Sequence, residues 1–141
     1  MARQILAGDV RYNQAYDKEY TSLVSQAAGS AVNTAGAYSY VDMRFHRKFG
    51  LQLDWTAGGA GGTITITLEG SVQNAATETA ASSLTFVDIT NATFGVASWT
   101  DDFLALDNTE KLAGYSWLRV KRVVTNKDAA TEIYLDCSKV G

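Results

Sequence analysis

The sequence has few of the residues from which small active sites and disulfide-stabilised domains are built. It contains one cysteine, one histidine and no proline in 141 residues. A single cysteine, Cys137, excludes an intramolecular disulfide. Zinc requires three or four His or Cys ligands, so these two side chains together cannot form a zinc site. Without proline, turns depend on Gly, Asn, Asp and Ser, and prolyl isomerisation does not slow folding.

The chain also lacks an excess of basic charge and lacks long apolar runs. Its formal net charge is −3, which provides no cationic surface for nucleic acid or for an anionic membrane. No apolar segment approaches the length of a membrane span, and the apolar stretch near the N-terminus is too short for a signal peptide. We therefore expect synthesis in the cytoplasm and neither nucleic acid nor membrane as a partner.

What the chain does contain is alternating apolar and polar residues, the pattern of half-buried β-strands. In GTITITLEGSVQ, the apolar residues Ile64, Ile66 and Leu68 alternate with threonines and a glutamate. AYSYVDMRFHRKF, LQLDW, LTFVDIT, YSWLRVKRVVT and EIYLDCS show related patterns, whereas helical periodicity is nearly absent. Strands separated by polar turns predict an all-β, two-sheet antiparallel β-sandwich that is jelly-roll-like, with an open barrel as the main alternative.

Two pairs of these strands are predicted to form hairpins. The glycine-rich run AGGAGG connects residues 51–56 with residues 63–72, and TNKDAAT connects residues 115–125 with residues 132–138. Short polar connections between two strand patterns are typical of hairpins. TDDFLALDNTEKLAG is interpreted instead as a loop with at most one helical turn.

The chain is predicted to comprise an N-terminal segment and one domain. Residues 1–36 are polar and rich in small side chains and fit the strand pattern least, so they are interpreted as an irregular N-terminal arm or edge segment. Within them, QAYDKEYTSLVSQAA could form a short helix, or EYTSLVSQ an edge strand. Residues 37–141 are predicted to form the β-sandwich domain, and no linker divides them.

Catalytic and metal-binding motifs are not found. His46 lies in RFHRKF and is interpreted as a surface strand residue rather than a catalytic base, because no partner for it is evident. The acidic run DDFLALDNTE lacks the spacing and glycine of an EF-hand loop, so a solvated turn is favoured over a calcium site. AGGAGG lacks the lysine and the following helix of a phosphate-binding loop. We expect no enzymatic activity, no cofactor and no metal.

Aromatic and basic residues on the outward strand faces are better candidates for a binding site. Such side chains can stack on sugar rings or form hot spots in protein interfaces. The alternative is that both faces of these strands are covered within the chain. The interface candidates are Tyr38, Tyr40, Arg44, Tyr115, Trp117, Arg119 and Lys121.

The succession GLQLDW, GGTITITLEGSVQ, LTFVDIT and YSWLRVKRVVTNKDAATEIYLDCSKV resembles small β-sandwich virion proteins of tailed bacteriophages, namely capsid decoration or cement proteins and related head or tail accessory proteins. The resemblance covers about residues 40–139. It implies a structural virion protein that is not an enzyme. The implied partners are further copies of the chain, as a homotrimer or other homo-oligomer, and the major capsid protein or another virion protein. It also implies that residues 1–36 contribute to the contact.

A carbohydrate-binding or receptor-binding β-sandwich module is the alternative function, because sugar-binding modules of this architecture contain similar strands. In that case outward aromatic side chains, Trp117 above all, would stack on sugar rings. Loss of glycan binding on replacement of Trp117 with alanine would distinguish this module from a virion protein.

Overall fold

A computed structural model describes residues 18–28 and 37–141. In this part of the chain, two four-stranded antiparallel sheets pack face to face, which confirms the predicted all-β sandwich. The strands are β1 (Lys18–Gln26), β2 (Ala37–Asp42), β3 (Lys48–Thr56), β4 (Thr63–Ser71), β5 (Val87–Asp88), β6 (Phe103–Asp107), β7 (Trp117–Thr125) and β8 (Glu132–Val140). Two short helices, α1 (Glu78–Ala81) and α2 (Thr90–Phe94), flank β5.

The strand order is that of a jelly roll. Sheet I has the order β1-β8-β3-β6, and sheet II has the order β2-β7-β4-β5. Apart from the connection between β4 and β5, every connection between consecutive strands crosses from one sheet to the other. This arrangement, with two Greek keys and antiparallel pairing, is the eight-stranded jelly roll, and it confirms the predicted jelly-roll-like topology.

Both predicted hairpins are wrong, because the strands of each pair lie in opposite sheets. The glycine-rich connection therefore runs from sheet I to sheet II at one end of the strands, and Gly58 and Gly61 adopt positive φ angles of 82° and 67° there. The backbone N–H of Ala60 donates to Asp128 Oδ2 at 2.7 Å, which ties this crossing to the connection between β7 and β8. A hairpin within one sheet and a connection between two sheets both need a short polar loop, so the local composition does not distinguish them.

Inward side chains of both sheets fill one core. On β3 and β4, the alternate apolar residues predicted to face inward are buried, except for Trp55, which is half-buried, and the polar residues between them face outward. Burial of such apolar surface contributes about 25 cal/mol per Å² to stability. The largest fully buried hydrophobic side chains are Met43, Leu51, Leu53, Ile64, Ile66, Leu68, Leu112, Leu118, Val120, Ile133 and Leu135.

Three segments differ from the strands predicted for them. AYSYVDMRFHRKF forms β2, a turn and the start of β3, so Phe45 lies at the tip of the turn and His46 within it. Of the segment LTFVDIT, only the two residues of β5 form a strand. The strand ends there because the Thr90 side chain, instead of a backbone group, is the next hydrogen-bond acceptor for β4. Its hydroxyl accepts a hydrogen bond from the Leu68 backbone N–H at 2.8 Å. FLALD, interpreted as a loop, is the strand β6.

Part of the predicted N-terminal segment belongs to the sandwich. Residues 18–26 form β1, the edge strand of sheet I, so the edge-strand alternative describes them. β1 pairs with β8 and has a bulge between Ser22 and Val24. Residues 27 and 28 follow β1, and the other residues of the predicted arm, 1–17 and 29–36, lie outside the described residues. Truncation through residue 36 would consequently remove a strand from sheet I.

Candidate functional site

Alternation along two neighbouring strands places five of the seven candidates on the outer face of sheet II. β2 and β7 pair antiparallel, with Tyr40 opposite Arg119 and Tyr38 opposite Lys121. Trp117 lies one row further along β7, opposite Asp42. These side chains therefore point away from the main core, as predicted. Other parts of the chain cover some of them and leave others exposed.

Arg119 is held at the centre of this face by other side chains. Its guanidinium carbon lies 4.3 Å from the centroid of the Tyr38 ring and 4.5 Å from that of the Phe86 ring. The guanidinium is also paired with the Glu69 carboxylate on β4 at 2.5 Å. Stacking on aromatic rings and a charge-assisted hydrogen bond together fix its position. The charge of Arg119 is thus neutralised within the chain, and the arginine supports its neighbours.

Trp117 is buried beneath residues 72–86, a segment that contains α1. Its side chain is 3% exposed and packs with the buried Ala75 and Ala81. The indole Nε1–H donates to the Ala75 carbonyl oxygen at 3.1 Å. This corrects the expectation of an outward Trp117 that is open to a partner. The alternation along β7 identifies the face of Trp117, but it does not reveal that a distant segment covers that face.

Arg44 links residues 72–86 to β2. Its Nε and Nη2 atoms donate to the two carboxylate oxygens of Asp42 at 2.9 and 2.6 Å. Its guanidinium carbon lies 5.5 Å from the Trp117 ring centroid, and Nη2 lies 3.5 Å from the Ala76 carbonyl oxygen. The side-chain hydrogen bond from Arg44 lowers the pKa of the Asp42 carboxyl group. Like Arg119, Arg44 has a role within the chain.

The lowered pKa of Asp42 predicts a dependence of stability on pH. Its ionised form contributes stability that is present above about pH 3.9, the ordinary aspartate pKa, and is lost as pH falls through the folded-state pKa. Asp42→Asn should lower the free energy of unfolding at neutral pH by less than about 1 kcal/mol, because the pair is partly exposed. The difference from the wild type should shrink towards about pH 3 in urea titrations.

The matched control for this prediction is Glu132→Gln, at the other end of the sandwich on β8. At neutral pH it should change the free energy of unfolding by no more than about 0.5 kcal/mol. A difference between Asp42→Asn and the wild type that stays constant into the acid range would show that the Asp42 charge does not contribute to stability.

Tyr115 lies apart from the five candidates on the outer face of sheet II and packs on the backbone of β4. A Cβ atom on Gly70 would approach Tyr115 Cδ1 to 2.7 Å, so the ring occupies the space that only glycine leaves free. Tyr115 and Arg44 both line a depression of about 630 Å³ at one end of the sandwich, where residues 43–47 meet residues 113–116. The structure brings these two candidates together there, away from Tyr38 and Lys121.

Tyr38 and Lys121 lie on a part of sheet II that residues 72–86 leave uncovered. The Tyr38 side chain is 42% exposed, and the neighbouring side chains on this part of the sheet are half-buried. Beside it, Lys121 lies opposite Thr67, and Val123 lies opposite Thr65. We call these five residues the open face: Tyr38, Thr65, Thr67, Lys121 and Val123. Its combination of an aromatic ring, methyl groups, hydroxyls and one ammonium group suits contact with a protein surface.

A second exposed surface, which was not predicted from the sequence, lies on the outer face of sheet I. Leu104 and Leu106 of β6 are 64% and 53% exposed, and Tyr20 of β1 is 66% exposed. The alternation in FLALD was the available signal. It is ambiguous because Phe103 and Ala105 on the inner face and the two leucines on the outer face are all apolar.

The potential metal ligands and the single cysteine of the described residues occupy structural positions in the fold. In the described part of the chain, no group of three or more His, Cys, Asp or Glu side chains could hold a metal ion. The Cys137 thiol is buried, and burial raises the pKa of Cys137 to about 11, so the thiol is protonated at neutral pH. No helix in residues 18–28 and 37–141 is long and apolar enough to cross a membrane.

These features define a jelly-roll sandwich with an uncovered face on each sheet. Among solved structures, the SPBc2 prophage-derived protein YomS has a similar fold, with a TM-score of 0.53 and 11% sequence identity. The similarity covers 89% of this chain and 95% of YomS. At this identity the likeness shows the fold alone. No protein-family model and no curated protein sequence matches the chain.

Proposed function

We propose that this protein is a structural component of a tailed-phage virion, and specifically a capsid decoration or cement protein that binds the major capsid protein or another virion protein. The observation that carries the proposal is the open face of sheet II. The likeness of the fold to that of a prophage-derived protein and the resemblance of the strand motifs to phage virion proteins both support it.

Four of the five side chains of the open face have restricted conformational freedom before any partner binds. Tyr38 is supported by the Arg119 guanidinium, and Arg119 is itself fixed by Glu69. Thr65, Thr67 and Val123 are β-branched and have restricted χ1 rotation. A side chain that is already fixed loses less conformational entropy on binding, so a modest face of this kind can give a stable contact. Such a contact is what attachment to a capsid surface requires.

The proposal is tested by sedimenting the purified protein with heads of its own virus that were assembled without it. The wild-type protein should sediment with the heads. Tyr38→Ala combined with Lys121→Glu should weaken binding by about thirtyfold or more, the loss typical of an interface hot spot. The matched control is Val87→Ser, which removes an exposed apolar side chain from the edge strand β5 of the same sheet.

Two outcomes would count against the proposal. The wild-type protein could fail to bind the heads, or the double variant could bind as tightly as the wild type. The same proteins can be applied to immobilised glycans. Retention of the wild-type protein on glycans and loss of retention in Tyr38→Ala, without binding to heads, would favour the carbohydrate-binding alternative. Trp117 is not suited to that test, because it is buried.

A further inference from the structure

The outer face of sheet I has apolar side chains exposed near both of its edges. Leu104 and Leu106 lie on the edge strand β6, and Tyr20 lies on the opposite edge strand β1. Between them, the central strands present Gly50 and Ser138, which leave a shallow trough of about 280 Å³. Exposed apolar groups that are grouped around a trough, with polar residues at the rim, indicate an interaction surface.

Charges on this face are separated along the direction of the strands. At one end, cross-strand pairing aligns Lys18, Val140 and Lys48 in one row. At the other end, Asp54 lies opposite Tyr134. The face therefore has a positive end and a negative end. Its middle contains leucines, small residues and one carboxylate, that of Asp136, which accepts a hydrogen bond from the Tyr20 hydroxyl at 2.9 Å.

This arrangement is complementary to itself. A two-fold axis that runs across the strands, between Gly50 and Gln52, brings the positive end of one copy over the negative end of the other. Lys48 of each copy then faces Asp54 of the other, and Gln52 of each copy faces the space above Gly50. On β6, Leu106 of each copy faces Leu104 of the other. In such an isologous interface each contact is made twice.

We infer that the occupant of this face is a second copy of this chain, in a two-fold dimer built from two stacked copies of sheet I. A four-stranded face of this length covers roughly 500 Å², so two copies bury about the 1,000 Å² that a specific interface needs. The dimer is therefore expected to dissociate on dilution. The inference does not depend on the proposed role in a virion, because it uses the sheet opposite to the open face.

Sedimentation velocity over a roughly hundredfold range of protein concentration tests the dimer. The wild-type protein should shift reversibly from the mass of one chain to twice that mass. Lys48→Asp and Asp54→Lys should each weaken association at least about tenfold, because each places two pairs of like charges in contact. The double variant Lys48→Asp/Asp54→Lys should regain wild-type affinity, because both pairs are restored with reversed sign.

Leu106→Asp should abolish association, and Val87→Ser on sheet II should leave it unchanged. Each variant is checked by circular dichroism, and the exposed charge variants provide the test if Leu106→Asp fails to fold. Three results would overturn the inference: a monomer at every concentration, a trimer, or a double charge variant that associates no better than the single variants. Failure of Leu106→Asp to associate while it still binds heads would separate this interface from the proposed function.

Discussion

Replacement of Trp117 with alanine is expected to lower the free energy of unfolding by about 3–5 kcal/mol. The indole lies between sheet II and residues 72–86, where it packs with Ala75 and Ala81 and donates a hydrogen bond to the Ala75 carbonyl oxygen. Truncation would leave a cavity and an unsatisfied carbonyl beneath that segment. Because domains of this size are stable by only about 5–15 kcal/mol, urea unfolding monitored by circular dichroism should show a large shift of the midpoint.

Trp117→Phe is the matched control, because it keeps an aromatic ring and removes the N–H donor. It should reduce stability by much less than the alanine variant. A reduction below about 1 kcal/mol for Trp117→Ala would contradict the buried position of the ring. If the large loss is observed, any binding defect of Trp117→Ala reports damage to the fold rather than loss of a contact with a sugar or a protein.

Asp107→Ala is expected to reduce stability by a comparable amount, about 3–5 kcal/mol. The carboxylate of Asp107 is buried at the end of β6 and accepts backbone hydrogen bonds from three residues of the following loop. Its Oδ1 accepts from Thr109 and Lys111 at 3.1 Å each, and its Oδ2 accepts from Leu112 at 2.8 Å. Without the carboxylate, these donors lose their acceptor, and the anchoring of the fully buried Leu112 is weakened.

Asn108→Ala, one residue further along and exposed, provides the comparison for Asp107→Ala and should change stability by no more than about 0.5 kcal/mol. Asp107→Asn keeps one acceptor oxygen and should fall between the two. Equal stabilities of Asp107→Ala and Asn108→Ala in urea unfolding would show that the loop does not depend on the carboxylate. The acidic run thus acts in part as a cap for its own loop, which sequence spacing alone did not reveal.

The strands that sequence analysis predicted well are those whose two faces differ in polarity. On β4, Ile64, Ile66 and Leu68 face the core, and the intervening threonines face outward, so the period of two is unambiguous. β6 was missed because Leu104 and Leu106 are as apolar as the residues that face inward. The partner of each strand could not be predicted, because pairing in a jelly roll joins segments that are distant in sequence.

For the candidate site, the sequence predicted only the face of the sheet from which each side chain projects. Tyr38 and Lys121 project from sheet II and remain accessible, as the alternation implied. Arg119 and Trp117 project from the same side, but residues 72–86, which include Phe86, enclose them. LTFVDIT gives no indication that Phe86 will lie against an arginine of β7, because the contact depends on the path of a loop. The local sequence pattern therefore predicts on which face of a sheet a side chain lies, whereas its solvent accessibility depends on the tertiary structure.

The position of β8 has a consequence for how the chain is made. β8 is the final strand of the sandwich in sequence, yet it is a central strand of sheet I and pairs with both β1 and β3. While the ribosome is still adding residues 132–140, β1 has no edge to join, and the apolar side of β3 has no complete sheet around it. The nascent chain consequently exposes core residues such as Leu51 and Leu53 until synthesis has passed β8. Assembly of the sandwich is expected to follow the synthesis of β8 and, given pairing between such distant segments, to be slow.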